Sequence, residues 1–310
     1  MIIALIQLAA GTVLLYFGAE WLVKGGSRLA ASLHVSPLVI GLTLVAFATS
    51  APELTVSCAA ALKGQGDIAV GNVVGSNICN ITLILGLSAV ITPLTVRRQL
   101  LKLDAPVMLI AAVLLATVCF FLGGVGRLVG AAFFLSLLVY IVHMVTASRR
   151  AGKNDDEKPP EAGLWYVSLL LAAMGLGGLV WGADLFVDGA VVCGRRAGLS
   201  EAVIGLTIVA IGTSLPELAT SVVAAMRKER DIAVGNVIGS NIFNVLCIMG
   251  IAPMLAPLRP TGITPLDWAV MLGVSVLIWI FMATGKTINR LEGALLLAIF
   301  IGYTSYLVIR

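Results

Sequence analysis

Two glutamates stand in apolar sequence, each directly after a proline and three and four residues after a Ser and a Thr. The two strings are Thr49-Ser50-Ala51-Pro52-Glu53 and Thr213-Ser214-Leu215-Pro216-Glu217. The runs around them, 38–62 and 202–226, are long enough to cross a bilayer. An ionised carboxylate at the centre of such a span costs roughly 3 kcal/mol on insertion scales, so something must compensate for it. Each proline removes a backbone N–H and pushes away the carbonyl four residues back, at Ala48 and Gly212, so a broken helix with released oxygens is expected. In hydrocarbon such backbone is tolerated only where it lines a cavity or a bound ion. Carboxylate, hydroxyl and carbonyl oxygens at one depth suit hard cations such as Ca²⁺ and Na⁺.

Further oxygens fall into step with these glutamates. Ser50, Glu53 and Ser57 share a helix face, as do Ser214, Glu217 and Ser221, and the next apolar run of each half carries Ser76 with Asn80 or Ser240 with Asn244. The stretches Gly41 to Asn80 and Gly205 to Asn244 align at a constant offset of 164 residues, with 25 of 40 positions identical. One duplicated unit is therefore present, and a unit holding the same polar residues twice suggests one site built from two halves. The likeness extends upstream at the same offset, where Phe17-Gly18-Ala19-Glu20 faces Trp181-Gly182-Ala183-Asp184. Gly71-x-x-x-Gly75 and Gly235-x-x-x-Gly239 add small faces that would let their spans press against the broken helices.

The elements that must hold these residues follow from composition. With 310 residues, 59% hydrophobic, 12% charged and a mean hydropathy of +1.05, the chain is an all-α polytopic membrane protein. Ten spans are expected, near 3–23, 38–62, 68–91, 104–122, 128–147, 164–187, 202–226, 232–255, 266–284 and 291–309. Loops on alternate sides divide the 20 basic residues into fourteen and six, so the richer side is cytoplasmic and both termini lie outside. Each half then has five spans, an odd number, which makes the repeats inverted: 1–147 and 164–310, joined by a cytoplasmic linker, 148–163. Helices 2 and 7 are the broken ones, and inversion would bring Glu53 and Glu217 together at the bilayer midplane.

Several other features read as ordinary. Cys58, Cys79, Cys119, Cys193 and Cys247 are scattered in apolar surroundings and read as small hydrophobes. The N-terminus lacks a basic region before its apolar run, so no cleavable signal is expected. The net charge of +4 lies on loops and does not indicate nucleic-acid binding. Glu20, with Lys24 four residues on, reads as a local ion pair, and Asp184 and Asp188 as a polar rim. Trp21, Trp165 and Trp268 sit at span ends as interfacial anchors. No cofactor is called for, and the lipid bilayer is the expected surrounding.

The motif G-x-T-x-x-A-x-x-T-S-x-P-E followed by G-N-x-x-G-S-N-I-x-N, present twice, resembles the α-repeats of the sodium/calcium exchanger family, within the cation/calcium antiporter superfamily. The resemblance implies a member in the plasma or inner membrane of a prokaryote. It implies ion ligands at Ala46, Thr49, Ser50, Glu53, Ser76 and Asn80, and at Ala210, Thr213, Ser214, Glu217, Ser240 and Asn244, with both alanines acting through backbone carbonyls. It also implies that spans one and six slide past an eight-helix core, and that three sodium ions exchange for one calcium. One departure is that many members carry Asp at the last motif position of one repeat, whereas Asn80 and Asn244 are both neutral.

Two glutamates give the site a charge of −2, which one Ca²⁺ or two Na⁺ would neutralise, so the ions compete and an empty site resists crossing. Secondary active exchange of Ca²⁺ for Na⁺ by alternating access is the expected function. A proton/calcium antiporter of the same fold is the alternative, because neighbouring carboxylates in low dielectric hold protons. An intramembrane enzyme with a carboxylate dyad is a different class, and the neutral oxygen cage disfavours it.

Overall fold

The computed structural model describes residues 1–151, 164–198 and 210–309. Most of the linker, the first part of the seventh expected span (202–209) and Arg310 lie outside the described residues. Helix α1 is Ile2–Leu33, and it stops where His34 turns left-handed at φ 56°. Helix α2, Pro37–Thr49, begins with Ser36 accepting a hydrogen bond from the Val39 backbone N–H and with Pro37 in the first position, which needs no donor. It meets α3, Ala51–Leu62, at a bend of 47°. Then come α4 (Gly66–Ile91), α5 (Leu100–Leu122), α6 (Arg127–Ala151) and α7 (Trp165–Arg196). Short α8 (Ala210–Thr213) leads to α9 (Leu215–Met226), α10 (Arg230–Leu255), α11 (Pro265–Gly285) and α12 (Arg290–Ile309).

The breaks fall where the prolines place them. Ser50 interrupts the helix at φ −83°, ψ 7°, with Pro52 in the first turn of α3; Ser214 does the same at φ −90°, ψ 7°, with Pro216 in the first turn of α9. Among the described residues eight helices are long and apolar enough to cross a membrane, and nine if the bent pair α2–α3 counts as one span. Helices α1 and α7 are longer than the expected spans, at 32 residues each. The sequence pattern suggested a stop at Lys24 and at Val187; the helices instead run on because their packing surface continues past those points.

That surface is glycine on glycine. Helices α1 and α7 run antiparallel with their backbones in contact: a Cβ built on Gly18 would lie 2.8 Å from the Gly175 carbonyl oxygen, and one on Gly11 2.8 Å from that of Gly182. Only a residue without a side chain permits that approach. Gly11 and Gly175 are equivalent in the two copies, as are Gly18 and Gly182, so the interface pairs each copy with the other.

Polarity is arranged inside out. Helix α10 is buried along its whole apolar window and α4 along 72% of it, whereas the remaining spans are buried along a third or less. The two buried helices are those rich in Asn, Ser and Gly. Large apolar side chains point outward, such as Phe120, Phe121 and Leu291, because lipid tails solvate them and cannot solvate an amide. Gly235 and Gly239 of α10 press against α2, where a Cβ on Gly239 would meet the Ala46 Cβ at 2.7 Å. Extended segments at the helix ends also pair across the copies: β1 (Leu94–Thr95) with β2 (Thr287–Ile288), and Val125 with Leu258.

Candidate ion site

Glu53 opens the first turn of α3 and Glu217 that of α9, so each carboxylate sits at a helix N-terminus where the dipole favours negative charge. Both are 1% exposed. The two breaks lie against each other, and the hydroxyl of each serves the carboxylate of the other copy: Ser50 Oγ donates to Glu217 Oε1 at 2.9 Å, and Ser214 Oγ donates to Glu53 Oε1 at 3.1 Å. No basic side chain bonds to either glutamate among the described residues.

Helices α4 and α10 supply the amides. A π-helical turn begins at Asn80 in α4 and at Asn244 in α10, widening each helix at the residue the motif marks. Asn80 Nδ2 donates to Asn241 Oδ1 at 3.1 Å, and Asn244 Nδ2 donates to Asn77 Oδ1 at 3.0 Å. Each amide nitrogen is thereby held by the opposite copy, which fixes the amide orientation and leaves its oxygen free to serve an ion. Behind the glutamates, Asn72 Nδ2 donates to the Glu53 carbonyl at 3.2 Å and to Ser57 Oγ at 3.0 Å. Asn236 Nδ2 does the same to the Glu217 carbonyl at 3.4 Å and Ser221 Oγ at 2.9 Å.

The result is a set of buried oxygens without donors. Glu53 Oε2, Glu217 Oε2, Asn80 Oδ1, Asn244 Oδ1 and Ser240 Oγ have no hydrogen-bond partner among the described residues. Leaving such atoms unsatisfied costs about 1–3 kcal/mol each, more for charged ones, so a cluster of them is suited to receive a cation. Two carboxylates with neutral oxygens around them match a hard divalent or monovalent ion. A transition metal would call for a different donor set, and among the described residues no group of three His, Cys, Asp or Glu is found.

The other expected ligands are placed as follows. Thr49 is buried, its Oγ1 lying 3.1 Å from Asn236 Oδ1 and 3.3 Å from the Ala46 carbonyl. That carbonyl also accepts from the Ser50 N–H at 3.0 Å, so Ala46 is engaged within its own helix end. Ser76 is buried at 5% exposure and Ser240 at 0%. Thr213 is half-buried, and Ala210 begins α8, with its side chain outside the described residues. Asn72, Asn77, Asn236 and Asn241 were not singled out from sequence, although each recurs at the same offset inside the G-N-x-x-G-S-N motif and that recurrence was the available signal. Glu20 corrects an expectation: its ion pair is with Arg227 at the end of α9, not with Lys24, because α1 packs against α9.

One flank of the site is hollow. A cavity of about 110 Å³ is lined by Asn72, Ser76, Ile211 and Tyr303, among others. Asn72 is half-buried, while its counterpart Asn236 is 0% exposed.

The family model described as sodium/calcium exchanger protein matches residues 3–146 and 167–309. The chain belongs to the sodium/calcium exchanger family. It is similar to the sodium/calcium exchanger MaX1 of Methanosarcina acetivorans, 32% identical over 335 residues that cover 96% of each protein. It is 37% identical to the inner membrane protein YrbG of Escherichia coli over 290 residues, covering 89% of this chain and 88% of that one. A solved structure of the sodium-calcium exchanger NCX_Mj, soaked with zero Na⁺ and Ca²⁺, superposes with a TM-score of 0.85 at 35% identity, covering 99% of both chains. Membership makes this chain a helical, multi-pass membrane antiporter of the cation/calcium exchanger type, and the family is one of transporters rather than enzymes.

Proposed function

We propose that the protein exchanges Na⁺ for Ca²⁺ by alternating access at one site shared between two inverted five-helix repeats. The observation that carries this reading is the reciprocal pair of bonds, Ser50 to Glu217 and Ser214 to Glu53, which joins the two carboxylates into one cluster with an unpaired oxygen on each. The ligand set is Ala46, Thr49, Ser50, Glu53, Ser76 and Asn80 with Ala210, Thr213, Ser214, Glu217, Ser240 and Asn244. Asn72, Asn77, Asn236 and Asn241 orient those ligands from behind. The similarity to MaX1 and NCX_Mj, both sodium/calcium exchangers, supports the exchange reading.

Inversion is supported by α1 and α7, equivalent helices of the two copies that run antiparallel, and the two-fold relation by contacts that return to themselves when the copies are exchanged. The bonds Asn80 to Asn241 and Asn244 to Asn77 are such a pair, as are the pairings Leu94 with Ile288 and Val125 with Leu258. A ten-span count adds to the nine spans found among the described residues the seventh expected span, 202–226, to which α9 belongs. The distribution of basic residues then puts both termini outside the cytoplasm. The cavity beside Asn72 and Ser76, against the fully buried Asn236 and Ser240, gives the site an open flank and a closed one.

Exchange follows from electrostatics. Two ionised carboxylates need a divalent ion or more than one monovalent ion, so Ca²⁺ and Na⁺ exclude each other. With neither bound, the uncompensated charge opposes passage through the closed intermediate. The test is ⁴⁵Ca²⁺ uptake into proteoliposomes with sodium, potassium and proton gradients imposed one at a time. Uptake driven by an outward sodium gradient is expected. Uptake driven by a pH jump and indifferent to sodium would overturn sodium coupling in favour of proton exchange at the same glutamates.

A further inference from the structure

Glu20 on α1 is ion-paired with Arg227, the residue that follows α9. The repeat offset of 164 turns this pair into Asp184 on α7 and Lys63, the residue that follows α3. All four residues differ in type between the copies, yet acid faces acid and base faces base. Asp184 and Lys63 are both exposed, and among the described residues neither forms an ion pair. By the charge distribution, Glu20 and Arg227 lie towards the cytoplasm and Asp184 and Lys63 towards the outside. A surface ion pair alone would be unremarkable; an acid–base pair made at one end of the molecule and unmade at its equivalent end is not.

Resting on the alternating-access reading above, we propose that Glu20–Arg227 and Asp184–Lys63 are alternative gate contacts, each closing one side of the protein in one access state. Helices α1 and α7 touch backbone to backbone through Gly11, Gly18, Gly175 and Gly182, so they shift as one body. Exchanging the conformations of two inverted repeats converts one access state into the other. Under that exchange the contact Glu20–Arg227 becomes Asp184–Lys63, and a single shift of the α1–α7 pair breaks one as it makes the other. Both pairs are partly exposed, and such contacts are weak, which biases an equilibrium without locking it. The pairs are also unequal. Arg presents a planar fork to a carboxylate, whereas Lys is a strongly hydrated point charge and Asp a shorter acid, so Glu20–Arg227 is the stronger contact of the two.

The test uses the full chain in proteoliposomes. Two double variants, Glu20→Cys with Arg227→Cys and Lys63→Cys with Asp184→Cys, are treated with a short bifunctional thiol reagent, and joined peptides are identified by mass spectrometry. Both pairs are expected to join, and joining either is expected to stop exchange. Adding Glu20→Gln to the Lys63/Asp184 cysteine pair should raise its joining rate roughly two- to fivefold. If only the Glu20/Arg227 pair joins while the untreated protein exchanges ions, or if Glu20→Gln leaves the rate unchanged, the gate pairs are refuted and the transport reading stands. Absence of sodium-driven calcium uptake in the unsubstituted protein would instead remove the transport reading beneath them. A second measurement needs no cysteine: Lys63→Glu sets two acids face to face and should slow turnover several-fold, with recovery on adding Asp184→Lys. Unchanged turnover in Lys63→Glu overturns the proposal.

Discussion

Ser50 and Glu217 are 167 residues apart in the chain and 2.9 Å apart in space, hydroxyl to carboxylate. The bond joins the break of one helix to the acid of the other, so the oxygen cluster of the proposed ion site is drawn from both halves.

Neutralising either acid should therefore end transport. Glu53→Gln or Glu217→Gln leaves one charge to pair with a bound divalent ion, and losing one partner of a buried ion pair costs about 3–5 kcal/mol. Sodium-driven ⁴⁵Ca²⁺ uptake is expected to fall by about 100-fold or more. Size-exclusion profiles in detergent should be unchanged, because an amide fills the same space. Normal uptake by either variant would remove that glutamate from the site.

The serine bonds predict coupling across the copies. A hydrogen bond to a charged group contributes about 1.5–3 kcal/mol, so Ser50→Ala and Ser214→Ala should each raise the calcium concentration for half-maximal uptake by about tenfold or more. Ser50→Ala should weaken binding further only where Glu217 is present to receive the bond. Calcium titration of Ser50→Ala, Glu217→Asp and the double variant gives the cycle, and strict additivity would show that the pair does not act together.

Asn77 and Asn241 hold Asn244 and Asn80 by their amide nitrogens. Releasing such an orienting partner typically lowers metal affinity by about 10–100-fold. Asn77→Ala and Asn241→Ala should thus weaken calcium binding with smaller loss of maximal rate. Isothermal titration and flux on the same samples separate the two effects, and unchanged affinity would assign these asparagines to packing alone.

Gly18 has no room for a side chain. In Gly18→Val, forcing α1 from α7 should cost about 1–3 kcal/mol and lower the melting temperature in detergent. A change to Val at Gly273, where an added Cβ meets nothing within 4 Å, is the control and should leave melting unchanged.

Much of this was legible in the chain because it was written twice. The aligned copies marked Glu53, Glu217, Ser50, Ser214, Asn80 and Asn244, and prolines 52 and 216 marked the breaks to within two residues of where they occur. Less legible were the residues whose role is to hold another. Asn77 looks like any transmembrane amide until its partner is seen to be Asn244, 167 positions away. Glu20 was read with Lys24 because sequence displays neighbours along a helix, whereas Arg227 reaches it from a different helix. The π-helical turns at Asn80 and Asn244 carry no proline or other local marker in the sequence.

The amino-acid order by itself determined that the chain lives in lipid, that it consists of two like halves, and that each half carries one acid at a proline break. Those properties are local: hydrocarbon selects apolar runs, and a ring that lacks an N–H interrupts a helix wherever it falls. Which atoms meet was decided only by folding. The choice of Ser50 for Glu217, of Asn241 for Asn80 and of Arg227 for Glu20 depends on two halves packing face to face, and a contact between distant residues exists only once the intervening helices are in place.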